Sequence, residues 1–423
     1  MKKVTPKILI EKTGFKHILL LVLFFLINVS HLQAQATYTS GATDTQIVNE
    51  LQGTGLSITN PILVNGNRPT QIGVFSNGIA GGNFQRDSGV VFSTGSVDQA
   101  FQSNLATQAS INVPNTGVLG NQDPYNDPDL TAIDATATRD AIVYSFDITL
   151  LPGFEGIDVA FQFGSDEYPD YVGSRFNDIF GLFISGPGIS GTQNIAQVPG
   201  ANINVSVNNI NAGFLGCQDD ATSEDLTQSA FYINNGHDTS TTGGCNTNPG
   251  PFIVVTEYNG LTNLINGRIT GLTPGSTYSL KLALADTGDP SLDSGVFVDV
   301  ISGVQLCNIS SISASNTSTC NDNGTPTNGS DDFFTADITV DFVSNPTTGT
   351  LNLTGDGTAS VAVGSLDSGT SHTFIGIQFP ADGGAVDLTA TFSADAGCTL
   401  NNSSVTTAPA NCVPPVPVLI IDN

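Results

Sequence analysis

The stretch "DAIVYSFDITL", residues 140–150, alternates apolar and polar side chains with a period of two. Ile142, Tyr144, Phe146 and Ile148 fall on one face, and Val143, Ser145, Asp147 and Thr149 on the other. Successive side chains of an extended chain point to opposite faces, so this is a strand with one face turned to a core. Similar runs flank it. "SGVVFSTG" ends at Gly95, "IDVAFQFGS" ends at Ser165, and "DIFGLFISG", "STYSLKLALAD" and "SGVFVDVISGVQL" follow, each bounded by Gly, Asn, Asp or Pro. "NINVSVNNIN" and "FIVVTEYNG" also read as strands, and no amphipathic helix of useful length stands out. Short strands at this spacing with long loops predict an all-β fold, a large jelly-roll-like sandwich over residues 37–307.

Residues 308–412 repeat the pattern on a smaller scale. In "FFTADITVDF", Phe334, Ala336, Ile338, Val340 and Phe342 share a face, and four more alternating runs follow. The size and rhythm predict an Ig- or fibronectin-like sandwich, although the tryptophan of antibody domains is absent. The tail 413–423, "VPPVPVLIIDN", reads as a proline-rich linker, and the natural chain is expected to continue past it.

The N-terminus points to export. Lys2, Lys3, Lys7, Lys12 and Lys16 precede the apolar run Ile18–Ile27, and the small-residue site "AQA" ends at Ala36. That order is a secretory signal peptide over residues 1–36. Ten apolar residues are too few to span roughly 30 Å of hydrocarbon. The mature chain is therefore expected to be secreted or on the outer cell surface, with no membrane insertion of its own.

Five of the 11 Lys and Arg lie in that leader, leaving six, and Glu11 is the one acid of 38 lost, leaving 37. The mature charge is then −31. Such a surface repels nucleic-acid phosphates and anionic lipid, and favours cations. The six cysteines are an even set in an exported chain, so disulfides are expected. Cys217 and Cys245 bracket one polar loop and are expected to pair. Cys307, Cys320, Cys398 and Cys412 fall in the C-terminal segment, with three connectivities open.

Three acidic clusters carry chemistry: "SDEYPD" (165–170), "RFND" (175–178) and "ADTGDPSLDSG" (285–295). Calcium takes six to eight oxygen ligands at about 2.3–2.6 Å, from carboxylates, amides, backbone carbonyls and water. Asp166, Glu167, Asn177, Asp178, Asp286, Asp289 and Asp293 supply such oxygens if the two loops meet. Acidic turns are usually solvated. Here Phe163, Tyr168, Phe176 and Phe180 interleave with the acids, and buried carboxylates need a counter-charge.

A hydrolase reading has less behind it. Asp166 and Glu167 are adjacent, so in extended chain they diverge and cannot pair across one bond. Glu167 with an aspartate is the remaining possibility. The sequence has no HExxH, GxSxG or P-loop, and His237 and His372, the mature histidines, read as surface residues. No catalytic residue is assigned. Tyr125, Tyr168 and Tyr171 offer rings for sugar stacking, which leaves a glycan-binding module as an alternative.

Taken in order, "DSGVVFSTG" (87–95), "DPDLTAIDATATRDAIVYSFDITL" (127–150), "FGSDEYPDYVGSRFNDIFGLFISGPG" (163–188), "NIAQVPG" (194–200), "NINVSVNNIN" and "LALADTGDPSLDSGVFVD" (282–299) resemble the choice-of-anchor L domain. The resemblance implies an extracellular, β-rich domain without an assigned biochemical activity, found in exported bacterial proteins, notably of Bacteroidetes-type organisms, whose sorting signals differ between members. The second unit is similar to Ig-like repeats of large surface proteins in the same bacteria. The expectation is thus an adhesion or extracellular-matrix component whose partner is an extracellular protein or glycan, with a structural calcium ion.

Overall fold

In the computed structural model the described residues are 36–101, 123–219, 222, 225–236 and 252–412. Residues 1–35 of the expected signal peptide, the tail 413–423, Cys245 and His237 lie outside them, and with Cys245 the expected Cys217–Cys245 pairing. The chain divides into two compact units. One takes the described residues up to Pro152 together with Gly156–Gly303, and the other takes Gly153–Glu155 and the described residues from Val304.

The opening stretch lies in strand Ala137–Leu150, an interior strand of one sheet of the larger unit. Its neighbours are Leu56–Asn65 and Thr277–Thr287, followed by Ile179–Ser185 and Gln193–Asn194, all antiparallel. The second sheet runs Thr37–Ser40, Ile72–Ser76, Gly89–Ser93, Ser294–Gln305, Phe154–Ser165, Gly260–Thr262 and Tyr232–Asn234. Ile265–Ile269 also pairs with Phe154–Ser165. Ile142, Tyr144, Phe146 and Ile148 are buried, and one apolar core gathers them with Phe180, Leu182 and Leu282 and with Val90, Phe92, Val159, Phe161, Phe163 and Val296 of the second sheet. The fold is an all-β sandwich.

The outer face of the first sheet is partly covered as well. Val143, Ala283, Ala285 and Phe183 pack with Leu130 of the short helix Pro128–Ile133. Asp127 caps that helix by accepting from the Asp129 and Leu130 N–H groups. It also takes the Lys281 ammonium at 2.6 and 2.8 Å, with Asp129 at 2.7 Å from the same nitrogen. Lys281, the only lysine among the described residues, therefore fastens this helix to the sheet.

Three sequence readings change. Asp44–Leu51 is an amphipathic helix that buries Ile47 and Leu51, and it starts at a capping box in which Thr43 and Gln46 satisfy each other's backbone N–H. "TDTQ" carried that signal. "NINVSVNNIN" contributes only the two-residue strand Val205–Ser206, and residues 252–259 form no strand before Gly260–Thr262. There Asn side chains take over backbone pairing: Asn235 Oδ1 accepts the N–H groups of Ile253 and Val254. His372 is buried, edge-on to Phe374 and 3.1 Å from Asp367.

The second unit has a three-stranded sheet, Asn308–Ser315, Phe333–Val343 and Ser371–Pro380, and a four-stranded sheet, Ala359–Ala362, Thr350–Gly355, Leu388–Phe392 and Asp395–Asn402. Phe334, Ala336, Ile338, Val340 and Phe342 are all buried on one face, as their alternation requires. Cys307 pairs with Cys398 and Cys320 with Cys412, closing sequence separations of 91 and 92 residues. Loops of that length remove much of the freedom of an unfolded chain, about 4 kcal/mol per bridge. The double substitution Cys307→Ser/Cys398→Ser is expected to destabilise the folded state by that order. Calorimetry of the chain from residue 37 checks it as a lowered melting transition.

Candidate metal centre

Two loops cross between the sheets of the larger unit at the same end. The first leaves Ser165 in the second sheet and enters Ile179 in the first; the other leaves Thr287 in the first and enters Ser294 in the second. Their flanks are neighbours twice over. Ile179 pairs with Ala285 in one sheet, while strand Ser294–Gln305 lies beside Phe154–Ser165 in the other. Sandwich topology thus sets residues 166–178 against 288–293, across more than a hundred positions of sequence. The Asp166 N–H donates to the Asp293 carbonyl at 3.0 Å.

Asp178 is the clasp between them. Its Oδ1 accepts the Thr287 N–H at 3.0 Å and its Oδ2 accepts the Ser294 hydroxyl at 2.7 Å, the residues bounding the second loop. The Asn177 N–H donates to the Thr287 hydroxyl, which donates to the Arg175 carbonyl at 2.9 Å. Gly288 turns at φ +80°, with the ring of Phe176 2.8 Å from where a Cβ would stand. From the second sheet Thr94 joins in: its N–H donates to the Ser294 carbonyl, and its hydroxyl accepts the Ser294 N–H.

The candidate ligands divide by environment. Asp166, Glu167, Asp178, Asp286 and Asp293 are at most 2% exposed. Asp289 is half-buried, with Oδ1 accepting the Ser291 N–H. Asn177 is half-buried and its amide oxygen accepts the Asn208 N–H at 2.8 Å, so that oxygen is already engaged. Oε2 of Glu167 and both carboxyl oxygens of Asp286 have no hydrogen bond in good geometry among the described residues. The two nearby arginines pair with other acids. Arg175 extends into solvent to Asp219 at 3.1 Å, and Arg139 reaches Asp123 at 3.7 Å.

Burial is the first cause of every shift in carboxyl acidity here, because it penalises the ionised form. It pushes Glu167 up to about 11, with Asp178, Asp289, Asp166 and Asp170 adding repulsion. Asp166 is raised well above its ordinary value by burial, then by Glu257 and Asp293, against a lowering contact with the Asn259 backbone. Asp286 is raised by burial, then by Asp178 and Asp293, while Thr94 acts the other way. Asp178 is raised by burial despite the hydrogen bonds from Ser294 and Thr287. Glu257 is pushed up to about 7 by burial.

Sequence reasoning overlooked Glu257, Asp140 and Asp170. Glu257 sits in a stretch expected to be a strand. Asp140, only 2% exposed, opens strand-forming sequence with φ +42°, and an acid there usually caps a solvated end. Asp170 closes the quoted "SDEYPD" and was within reach of the motif. Tyr168 is fully buried and donates to the Ile210 carbonyl at 2.5 Å, so its ring is no sugar platform.

A family model, the Choice-of-anchor L domain, matches residues 34–303. The chain belongs to that family. Choice-of-anchor domains belong to exported surface proteins, and the disulfides fit an extracellular setting. No helix among the described residues is long and apolar enough to cross a membrane. No curated protein matches the chain. Two solved structures are distantly similar. The adhesin domain of Epf from Streptococcus pyogenes is 11% identical, with 66% of this chain and 79% of that one covered and a TM-score of 0.16. The GH2 beta-galacturonidase from Eisenbergiella tayi is 9% identical, with 84% and 44% covered and a TM-score of 0.17. Likeness at that level carries no functional argument.

Two outcomes follow from the geometry. In chelator-treated protein the folded state holds more protons than the unfolded chain wherever a carboxyl is raised, so stability falls as pH rises. The fall runs from about 4.5, the unfolded glutamate value, through about 7 for Glu257 and on toward about 11 for Glu167. The melting temperature in EDTA should be lower at pH 8 than at pH 5; equal values contradict the burial of these groups as acids. Gly95→Ala should also destabilise, because its Cβ would stand 1.8 Å from Asp293 Oδ2.

Proposed function

We propose that this is a non-enzymatic exported protein of the cell surface or its matrix, acting in adhesion, and that calcium binding at the acidic end of the larger sandwich is structural. One observation carries the calcium reading. Asp166, Glu167, Asp178, Asp286 and Asp293 are buried together on the two crossing loops, while Arg175 and Arg139 pair elsewhere. An effective penalty of several kcal/mol attends each buried ion, so carboxylates gathered this way need a counter-charge or their protons. At the pH and calcium of an extracellular fluid a hard, oxygen-seeking divalent cation is the counter-charge that suits them. Its role is to join the loops. The same end of the sandwich is then held rigid enough to present its half-buried rim, Asp170, Tyr171 and Asp289, to a partner.

The adhesive role draws on the family and on the acidity of the mature chain, and its partner class is an extracellular protein or glycan. A non-enzymatic reading is supported by the commitment of Asp178 to Thr287 and Ser294. Glycan binding is the second reading, resting on Tyr171, which is half-buried and edge-on to Phe176.

Extracellular modules bind calcium with dissociation constants of ~10⁻⁴–10⁻³ M. At a hundredfold excess over the dissociation constant, binding to the folded state alone adds about 2.7 kcal/mol. For a domain of this size that is a rise of roughly 5–10 °C in melting temperature. Scanning calorimetry in 10 mM calcium against EDTA checks it, and coincident transitions would refute the site. Retention on immobilised matrix proteins, compared with a glycan array, separates the two partner classes; selective array signals lost on Tyr171→Ala would favour the glycan.

A further inference from the structure

The acidic end gathers more carboxyl groups than one cation would balance, and they do not crowd around one point. Among the described residues, three ligand atoms lie mutually within 4.8 Å only at Cys307, Asp395 and Cys398, and at Cys320, Asp332 and Cys412; the acidic loops bring no such trio together. Calcium–oxygen bonds of about 2.3–2.6 Å let one ion span oxygens up to about 5 Å apart. A single ion therefore meets at most two of these carboxyl groups within its span where they stand, and completes its shell with carbonyls and water.

The geometry points to two divalent-cation sites, an inner one on Asp286 and Asp293 beside Asp140, and an outer one on Glu167 and Asp289 beside Asp170, with Asp178 between them. This deepens the calcium reading above and rests on it. Three observations separate the sites. First, Asp166 and Glu167 are consecutive, and they diverge: the Asp166 N–H continues the pairing toward Asp293, while the Glu167 N–H turns back to the Ser165 hydroxyl at 3.0 Å. Second, Asp178 spends one oxygen on Thr287 and the other on Ser294 and lies against the Asp286 carboxyl, so its own oxygens are engaged on the inner side. Third, the acids that act on Glu167 are Asp178, Asp289, Asp166 and Asp170, whereas those on Asp286 are Asp178, Asp293 and Asp140. Asp178 is the member common to both.

Each side also has a buried carboxyl oxygen left without a hydrogen bond in good geometry, Oε2 of Glu167 on one and both oxygens of Asp286 on the other. The sites differ in access. Asp286, Asp293 and Asp140 are buried, and the Asp293 carboxyl packs against Gly95, so the inner ion is walled in by the Thr94–Gly95 turn. Asp289 and Asp170 are half-buried, so the outer ion faces solvent on one side. The inner ion belongs with the fold, and the outer one exchanges faster and lies nearest Tyr171.

Calcium chloride titrated into the metal-free mature chain, followed by calorimetry and by native mass spectrometry, tests this. The expected stoichiometry is two. Glu167→Gln should retain one ion, as should Asp286→Asn, and Glu167→Gln should leave the slower-exchanging ion in place. One ion bound by the unaltered chain overturns the two-site inference and leaves the calcium reading standing. No ion overturns both. A folded single variant that loses both ions together overturns the separation of the sites, and if a variant fails to fold, the stoichiometry of the unaltered chain decides alone.

Discussion

Everything at the acidic end depends on a repulsion that the fold creates and must offset. Two chain crossings between the sheets of a sandwich are forced together because their flanking strands are neighbours in both sheets. The residues at those crossings are acids, and packing removes them from water. Like charges a few ångströms apart in a poorly polarisable interior repel far more than in solvent. Hydrogen bonds answer part of this, most fully at Asp178. The remainder calls for protons or cations.

The same end of the molecule shows how backbone and charge are coupled. Thr287 and Ser294 donate to Asp178 from the two ends of one loop, and Thr94 ties Ser294 to the neighbouring strand. Moving any of these residues shifts the clasp, and with it the spacing of Asp286 and Asp293. A bound ion would act on the same loop from its interior side. Such a site would be a joint between loops, with the half-buried Asp170 and Asp289 on its solvent side.

Elsewhere charge is used sparingly and with a different logic. Lys281, Asp127 and Asp129 form a compact, partly buried group that holds a six-residue helix over the first sheet. There the opposite charges are supplied by the chain itself, and the group is complete. In the second unit no comparable group is needed: alternating side chains fill the core, and the two disulfides tie distant segments of the chain.

The alternation of Asp140–Leu150 and Phe333–Phe342 was legible because a strand with one buried face has a local period, and so were the sandwich class and the family motifs. The capping box at Thr43 was legible too, although a helix of eight residues is easily passed over in a chain of strands. What could not be read locally was the company each acid keeps. Asp289 and Asp293 lie in the same glycine- and proline-punctuated turn, yet one is half-exposed and the other buried, and Glu257 and Asp140 looked like ordinary strand-end acids. A carboxylate carries the same local signature in water and in a core. The sequence determined that this protein would be made of strands and would carry a large excess of acid; the tertiary structure decided which acids meet, because that depends on which strands are neighbours across both sheets.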